Sequence, residues 1–384
     1  MSGALMEAGK AFPRNPREPS APDMNVDFAF HIENVKLVET LEGIAKELGV
    51  AFVEGTMSGA ERGPAGLAAL QFDDGRRLAA DLFVDCSGFR SELMGRALGE
   101  EFLDYGRALF CDRAVIGGWE RTTEPILPYT TEETMEAGWA WQIEHEHHVN
   151  RGYVYCSHAI SDEAACAEFL RKNPKAPRNP RVVRFRSGRY RRLWVDNVVA
   201  IGNAAGFVEP LEATALMVIT RQCKQLVALL EDAALRPTPT LRELYNTVTI
   251  ETFDDTRDFL ALHYKLNSRL DNAFWRHCRA DTDLGALGPL LDFYRENGPS
   301  CLTHLTLASQ DRNVFGIEGY LVMLVGNRAP YEARHQATAA ERIAWNQMKS
   351  KHRTQAAQGL TVAESLRIIR SAAVAVDQLN RCQQ

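Results

Sequence analysis

The residues best suited to chemistry lie in one run, Gly202-Asn203-Ala204-Ala205-Gly206-Phe207-Val208-Glu209-Pro210-Leu211-Glu212-Ala213-Thr214-Ala215. Its first five positions are small, so backbone can approach a ligand more closely than side chains would allow. Glu212 puts a carboxylate in the throat of the same run, expected to be buried and therefore a strong partner for positive charge. Before it, Val198 to Ile201 is unbroken apolar sequence, as expected of a parallel strand buried on both faces. After Pro210, which breaks any helix, Leu216, Ile219, Cys223, Leu226 and Leu230 recur at helical spacing and predict a helix from about Ala213 or Thr214. A strand, a small-residue turn and a helix N-terminus form an anion-tolerant pocket at the carboxyl end of a sheet. On these grounds alone the run is either a ligand site or a corner whose small residues only allow close packing.

Two further stretches carry chemistry. Ala80 to Asp85 reads as a buried strand emptying into Cys86-Ser87-Gly88-Phe89-Arg90-Ser91, a second small turn with hydroxyls. In Gly138-Trp139-Ala140-Trp141-Gln142-Ile143 the tryptophans alternate at period two, giving either a flat apolar wall or ordinary core.

The run from Gly202 to Thr214 resembles the flavin-contacting strap of flavin-dependent halogenases, the tryptophan halogenase family. The segment from Ala80 to Arg90 is similar to one that lies beside the flavin in that family. Trp139, Trp141 and Ile143 resemble its Trp-x-Trp-x-Ile-Pro motif, which stands between flavin and substrate, and the likeness spans roughly residues 25 to 330. It implies an α/β, FAD-binding flavoprotein-monooxygenase-like fold with an inserted β-rich substrate layer and a helical C-terminal part. It also implies reduced FAD, delivered by a separate flavin reductase, lying beside Asp85, Ser87, Gly88, Gly202, Asn203, Ala204, Ala205, Gly206, Phe207, Val208 and Pro210. A halide, chloride or bromide, is implied at the backbone N–H groups of Thr214 and Ala215. Glu212 is implied to stabilise positive charge on the attacked ring or accept its proton, and the substrate to be an electron-rich aromatic such as an indole or phenol.

The chain departs from the family pattern in places. Glu144 stands where the family has Pro, and His145, Glu146, His147 and His148 follow it, expected in an exposed strand end or loop rather than a metal site. No G-x-G-x-x-G occurs anywhere, and the family's catalytic lysine has no assignable counterpart. The expectation is therefore a fold incomplete at its N-terminus, with unpaired strand edges and an exposed apolar face, poorly soluble or inactive by itself. A non-catalytic remnant and an aromatic flavin monooxygenase stand as alternatives, because one flavin architecture serves several reactions.

The elements that must position these residues follow from periodicity. Residues 1–25 carry four prolines and are expected to be extended or loose. Phe28 to Ile32 and Val50 to Glu54 read as strands flanking a helix whose apolar residues run from Val35 to Leu48. Gly66 to Leu78 reads as a hairpin turning at Asp73-Asp74-Gly75. Arg113 to Trp119 and Arg151 to Ser157 read as strands, and Arg184 to Trp194 as a hairpin with solvated arginines. Leu241 to Asn267, Asn272 to Cys278 and Arg342 onward read as helices, with Tyr264, Phe274, Trp275 and Phe293 lining a pocket or simply packing. The expected divisions are 1–103, a partial FAD-binding region; 104–180, the β-rich layer; 181–235, the strand and helix of the flavin and halide site; and 236–384, the helical region.

Composition excludes other classes. A net charge of -6 and the lack of a basic stripe argue against nucleic acid. No stretch reaches eighteen apolar residues and the first twenty-two form no apolar leader, so a cytoplasmic enzyme is expected, without membrane partner. The eight cysteines are scattered, pointing to reduced thiols rather than zinc or disulfides.

Overall fold

The computed structural model of the protein describes residues 1–25, 28–307, 313–334 and 336–371. Helices α1 (Ser2–Glu7) and α2 (Asn34–Glu47) precede strands β1 (Met57–Gly63), β2 (Gly66–Phe72), β3 (Arg77–Leu78) and β4 (Phe83–Asp85). Next come β5 (Phe102–Asp104), β6 (Arg113–Glu120), β7 (Thr131–Met135), β8 (Gly138–Glu144), β9 (His148–Tyr155), α3 (Asp162–Lys172) and β10 (Arg181–Arg184). The short strands β11 (Gly188–Tyr190), β12 (Trp194–Val195), β13 (Val198–Ala200) and β14 (Gly206–Phe207) lead into a helical remainder. That remainder comprises α4 (Ala215–Asp232), α5 (Pro239–Leu266), α6 (Ala273–Asp281), α7 (Gly288–Asn297), α8 (Gly316–Gly326) and α9 (Ala339–Ala357).

The expected parallel strand is present. β13 pairs β4 in parallel, Val199 against Val84, so both strands end at the same edge and both small turns leave from it. All three residues of β13 are fully buried, as an unbroken apolar run requires. The β-rich layer is a five-stranded antiparallel sheet in the order β10-β6-β9-β8-β7. Helix α5 runs through the core, with Phe253, Phe259, Leu260, Ala261, Leu262 and Tyr264 all buried. The hairpin turn at Asp73-Asp74-Gly75 forms as read, Gly75 taking φ +84°.

Several expectations need correction. Residues 28–32 and 50–54 form no strand; both lie beside α2, and Phe30, Phe52 and Val53 are exposed, leaving them no sheet to join. The α2 stripe itself is solvent-facing, with Val35, Val38, Leu41, Ile44 and Leu48 all exposed, while β4 sits at the edge of its sheet. The first residues are not loose, because α1 packs on α9 and Phe12 bridges Leu360 through backbone hydrogen bonds. Arg184 to Trp194 is not a hairpin: β10 joins the five-stranded sheet and β11 pairs β14 and β5 in another, so the layer extends past residue 180. Nor are its arginines all solvated, since Arg189 is buried against Asp254 at 2.8 Å. The expected C-terminal helix is interrupted: α9 ends at Ala357, a further helical stretch covers residues 362–371, and residues beyond 371 lie outside those described.

No helix among the described residues is long and apolar enough to cross a membrane.

Candidate active site

The two small turns meet at the carboxyl ends of β4 and β13. Phe89 of the first lies edge-on to Phe207 of the second, ring centroids 5.0 Å apart. The depression between them, walled by Phe89, Phe102, Arg186, Tyr190 and Phe207, has room for about 10 Å³ of solvent, one water at most. A flavin ring does not fit inside it. The turns present instead an open rim, where Gly88 at φ +68° leaves free space around its Cα and Asn203 is exposed. Other members of the turns face inward. Asp85 is buried and accepts hydrogen bonds from the Ser87, Leu93 and Met94 amides at 2.9 to 3.0 Å, capping the helical turn at Glu92–Ala97. Ser87 Oγ donates to Asp85 and accepts from the Glu92 amide. Ala204 and Ala205 are fully buried, and a Cβ on Gly206 would meet the Gly188 carbonyl at 2.7 Å, so their smallness seats β14 on β11.

Beyond Val208 the strap turns its two carboxylates in opposite directions. The buried one is Glu209, at 0 % exposure, and not Glu212 as the sequence led us to expect. A 3₁₀ turn at Pro210–Glu212, closed by Ala213 at φ +50°, carries Glu212 around to the outside, where about a third of its side chain is exposed. Its Oε1 lies 2.9 Å from Nε2 of His263 on α5, whose Nδ1 lies 3.3 Å from the Phe259 carbonyl. Both ring nitrogens face acceptors, and only the imidazolium form donates to both. Glu212 is thus aimed by a cation-capable ring.

Across the strap stands the sheet. Trp139 and Trp141 share a face of β8, but they make no flat wall: their planes are tilted by 55° and Trp139 is buried while Trp141 is half-buried. Trp139 Nε1 donates to Glu209 at 2.8 Å. Trp141 lies over Gly152 directly opposite on β9, where a Cβ would come within 2.1 Å of the ring. Glu132 of β7 pairs with Trp141 from the other side, sharing its face, and has no side-chain hydrogen bond or ion pair among the described residues. Although solvent reaches it, burial and then the Glu212 charge push its carboxyl up to about 8. Solvent access tempers the size of that shift and leaves its direction. Ile143 is partly buried opposite Asn150.

Glu144, in the place of the family's Pro, is buried, forms an ion pair with Arg121 and accepts from Gln142 Nε2 at 2.7 Å. His31 Nδ1 meets its carbonyl at 2.8 Å, so side-chain bonds fix a backbone that a pyrrolidine ring would otherwise stiffen. His145 is buried rather than exposed, because its amide turns back onto the His148 carbonyl. No group of three or more His, Cys, Asp or Glu among the described residues is placed to hold a metal.

Helix α4 starts at Ala215, as the spacing predicted. Thr214 occupies the N-cap position without a side-chain cap bond, and its Oγ1 is buried with no partner among the described residues. The first amides of a helix have no intrahelical acceptor, so this end retains donors beside Glu212. Of the two alternatives open for Tyr264 and Trp275, packing is the one found: they stack in the core with centroids 6.0 Å apart. Phe274 lines a separate open cleft of about 620 Å³ with Phe110, Arg107 and His277. The sequence reading missed His263, Glu209, Glu132 and Gly152, whose partners lie 9 to 70 positions away, so no local spacing could mark them.

A sequence model of the tryptophan halogenases matches residues 1–342. The tryptophan 7-halogenase KtzQ of Kutzneria sp. (strain 744) is 37% identical over 295 residues, covering 75% of this chain and 54% of its own length. The tryptophan 7-halogenase RebH of Lentzea aerocolonigenes is 33% identical over 327 residues, covering 82% of this chain and 61% of its own. The chain therefore spans between half and two thirds of these relatives. The crystal structure of MibH, a lanthipeptide tryptophan 5-halogenase, superposes with a TM-score of 0.86 at 35% identity, over 95% of this chain and 70% of that one. BrvH, a flavin-dependent halogenase from Brevundimonas sp. BAL3, gives 0.84 at 30% identity, over 95% and 74%.

Proposed function

The chain belongs to the tryptophan halogenase family, and on that premise we propose that it takes part in flavin-dependent halogenation of an electron-rich aromatic, an indole or phenol. The observation that carries this reading is the placement of Glu212, held by His263 immediately before the N-terminus of α4. Reduced FAD, from a separate reductase, would rest on the rim at Gly88 and Asn203 and supply, with O₂, the oxidising equivalent that turns a halide into an electrophile. The other parts belong to the protein. Amides at Thr214 and Ala215 hold the halide, a helix N-terminus stabilising an anion by about 0.3–1 kcal/mol even when exposed. Trp141 offers an indole face against which a flat ring stacks. As the ring is attacked it gains positive charge, and Glu212 stabilises that charge and then accepts the ring proton. His263 aims the carboxylate meanwhile, so its orientation costs nothing at the moment of reaction.

The test is Glu212→Gln, which keeps shape and removes charge. With a flavin reductase, FAD, chloride and indole supplied, the wild-type protein should form chloroindole and the variant at least about a hundredfold less, the size of losing one preorganised charge interaction. Equal turnover by the two would remove Glu212 from the chemistry.

A further inference from the structure

Glu209 is a carboxylate with no access to solvent, and the chemistry above does not use it. Its Oε2 accepts from Trp139 Nε1 at 2.8 Å and from the Tyr264 hydroxyl at 2.5 Å, while Oε1 is buried with no hydrogen-bond partner among the described residues. Burying an acid this deeply is costly, and an apolar residue of similar volume would pack the site at less cost. What an apolar residue would not do is tie three elements together. Trp139 belongs to β8, the strand that carries Trp141. Tyr264 belongs to α5 and directly follows His263, which holds Glu212. Two consecutive residues of one helix therefore grip the two carboxylates of the strap, and a strand of the sheet is fastened to the same point.

We propose that Glu209 is a positioning residue, which fixes the strap between β8 and α5 and so sets the distance of Glu212 from the Trp141 wall. The assignment deepens the halogenase reading and rests on it for its kinetic arm. The groups facing Glu209 are Tyr264 on α5, the Cys111 thiol and backbone ahead of β6, Cys156 after β9 and Cys278 on α6. Burial pushes each of the three thiols up, so all stay protonated near neutrality. Burial likewise raises the Glu209 carboxyl to about 7, with the Tyr264 and Trp139 bonds opposing it.

The experiment has a spectroscopic arm and a kinetic arm. Protein labelled with 5-fluorotryptophan, its Trp139 line assigned through Trp139→Phe, is titrated from pH 5.5 to 8.5 by ¹⁹F NMR. The Trp139 line should move with a midpoint near 7 in the wild type. It should stay at its low-pH position in Glu209→Gln, which keeps an acceptor for both donors but cannot ionise. In turnover, Glu209→Ala should lower kcat by about tenfold or more with little change in KM, because a misplacement near 1 Å costs up to a hundredfold. Glu209→Gln should keep at least about a third of wild-type kcat at pH 7, and Tyr264→Phe should fall between them, as expected when geometry rather than charge is what matters. A Trp139 line that does not titrate, or one that titrates unchanged in Glu209→Gln, overturns the assignment, as does an alanine variant that turns over like wild type. Should the wild type form no halogenated product, the functional reading fails while the ¹⁹F arm still decides the clamp.

Discussion

Adding one methyl group at Gly152 should dislodge the aromatic wall. Gly152 sits directly across from Trp141 on the neighbouring strand, and a Cβ built there falls 2.1 Å from two carbons of the indole ring and 2.7 Å from a third. Ordinary contact begins near 3.4 Å, so the ring must lift by about 1.3 Å or the two strands must part. The tryptophan is half-buried beside Trp139, and that neighbour is pinned to Glu209, which limits where it can go. Overpacking of this kind costs about 1–3 kcal/mol. For a chain of 384 residues that lowers Tm by roughly 1–4 °C. The lifted ring also loses its place for a stacked ligand, and a stacking contact of about 0.5–1.5 kcal/mol corresponds to a roughly twofold to tenfold weaker Kd for indole. Thermal melts and equilibrium indole binding measure the two effects. Gly43→Ala is the control, because nothing lies within 4 Å of a Cβ there and a helical glycine gains from the change. Trp141→Phe in the Gly152→Ala background should recover the lost stability, since the smaller ring clears the methyl. If Gly152→Ala melts and binds like wild type, the seating of Trp141 on β9 is not what shapes the cleft.

The remaining outcomes follow from burial and charge. Glu132 has its carboxyl raised in the folded protein, by burial first and Glu212 second, so folding favours its protonated form. That cost is absent below its ordinary range near 4 and grows as pH rises toward 8; Glu132→Gln should therefore match wild-type stability at pH 4 and exceed it at pH 8.5 in urea melts, and parallel curves would refute the coupling. Among the thiols, Cys86, Cys223 and Cys301 are exposed, whereas Cys111, Cys156 and Cys278 are buried, with burial pushing the Cys278 thiol up to about 12. Alkylation at pH 8 followed by peptide mapping should modify the first group in the folded protein and the second only in denaturant; early labelling of Cys278 would contradict the packing around α6.

How much of this was written in the sequence depends on whether the cause is local. The strand at Val198, the helix beginning at Ala215 and the turn at Gly75 come from hydrophobic period and from residue types that act on their own neighbourhood. The strap, the Asp85 turn and the paired tryptophans stood out as contiguous motifs through their resemblance to the family, while their roles remain proposals. Tertiary structure decided which of two carboxylates three residues apart is buried. That choice rests on the left-handed Ala213 and on Trp139, Tyr264 and His263, which arrive from 51 to 70 positions away and carry no mark in the strap. It likewise decided that Phe28–Ile32 and Val50–Glu54 form no strands, since alternating side chains become a strand only where a neighbouring edge supplies hydrogen bonds, and no edge lies beside them among the described residues. Sequence fixes what each residue is able to do; which of those abilities is used depends on what the fold brings next to it.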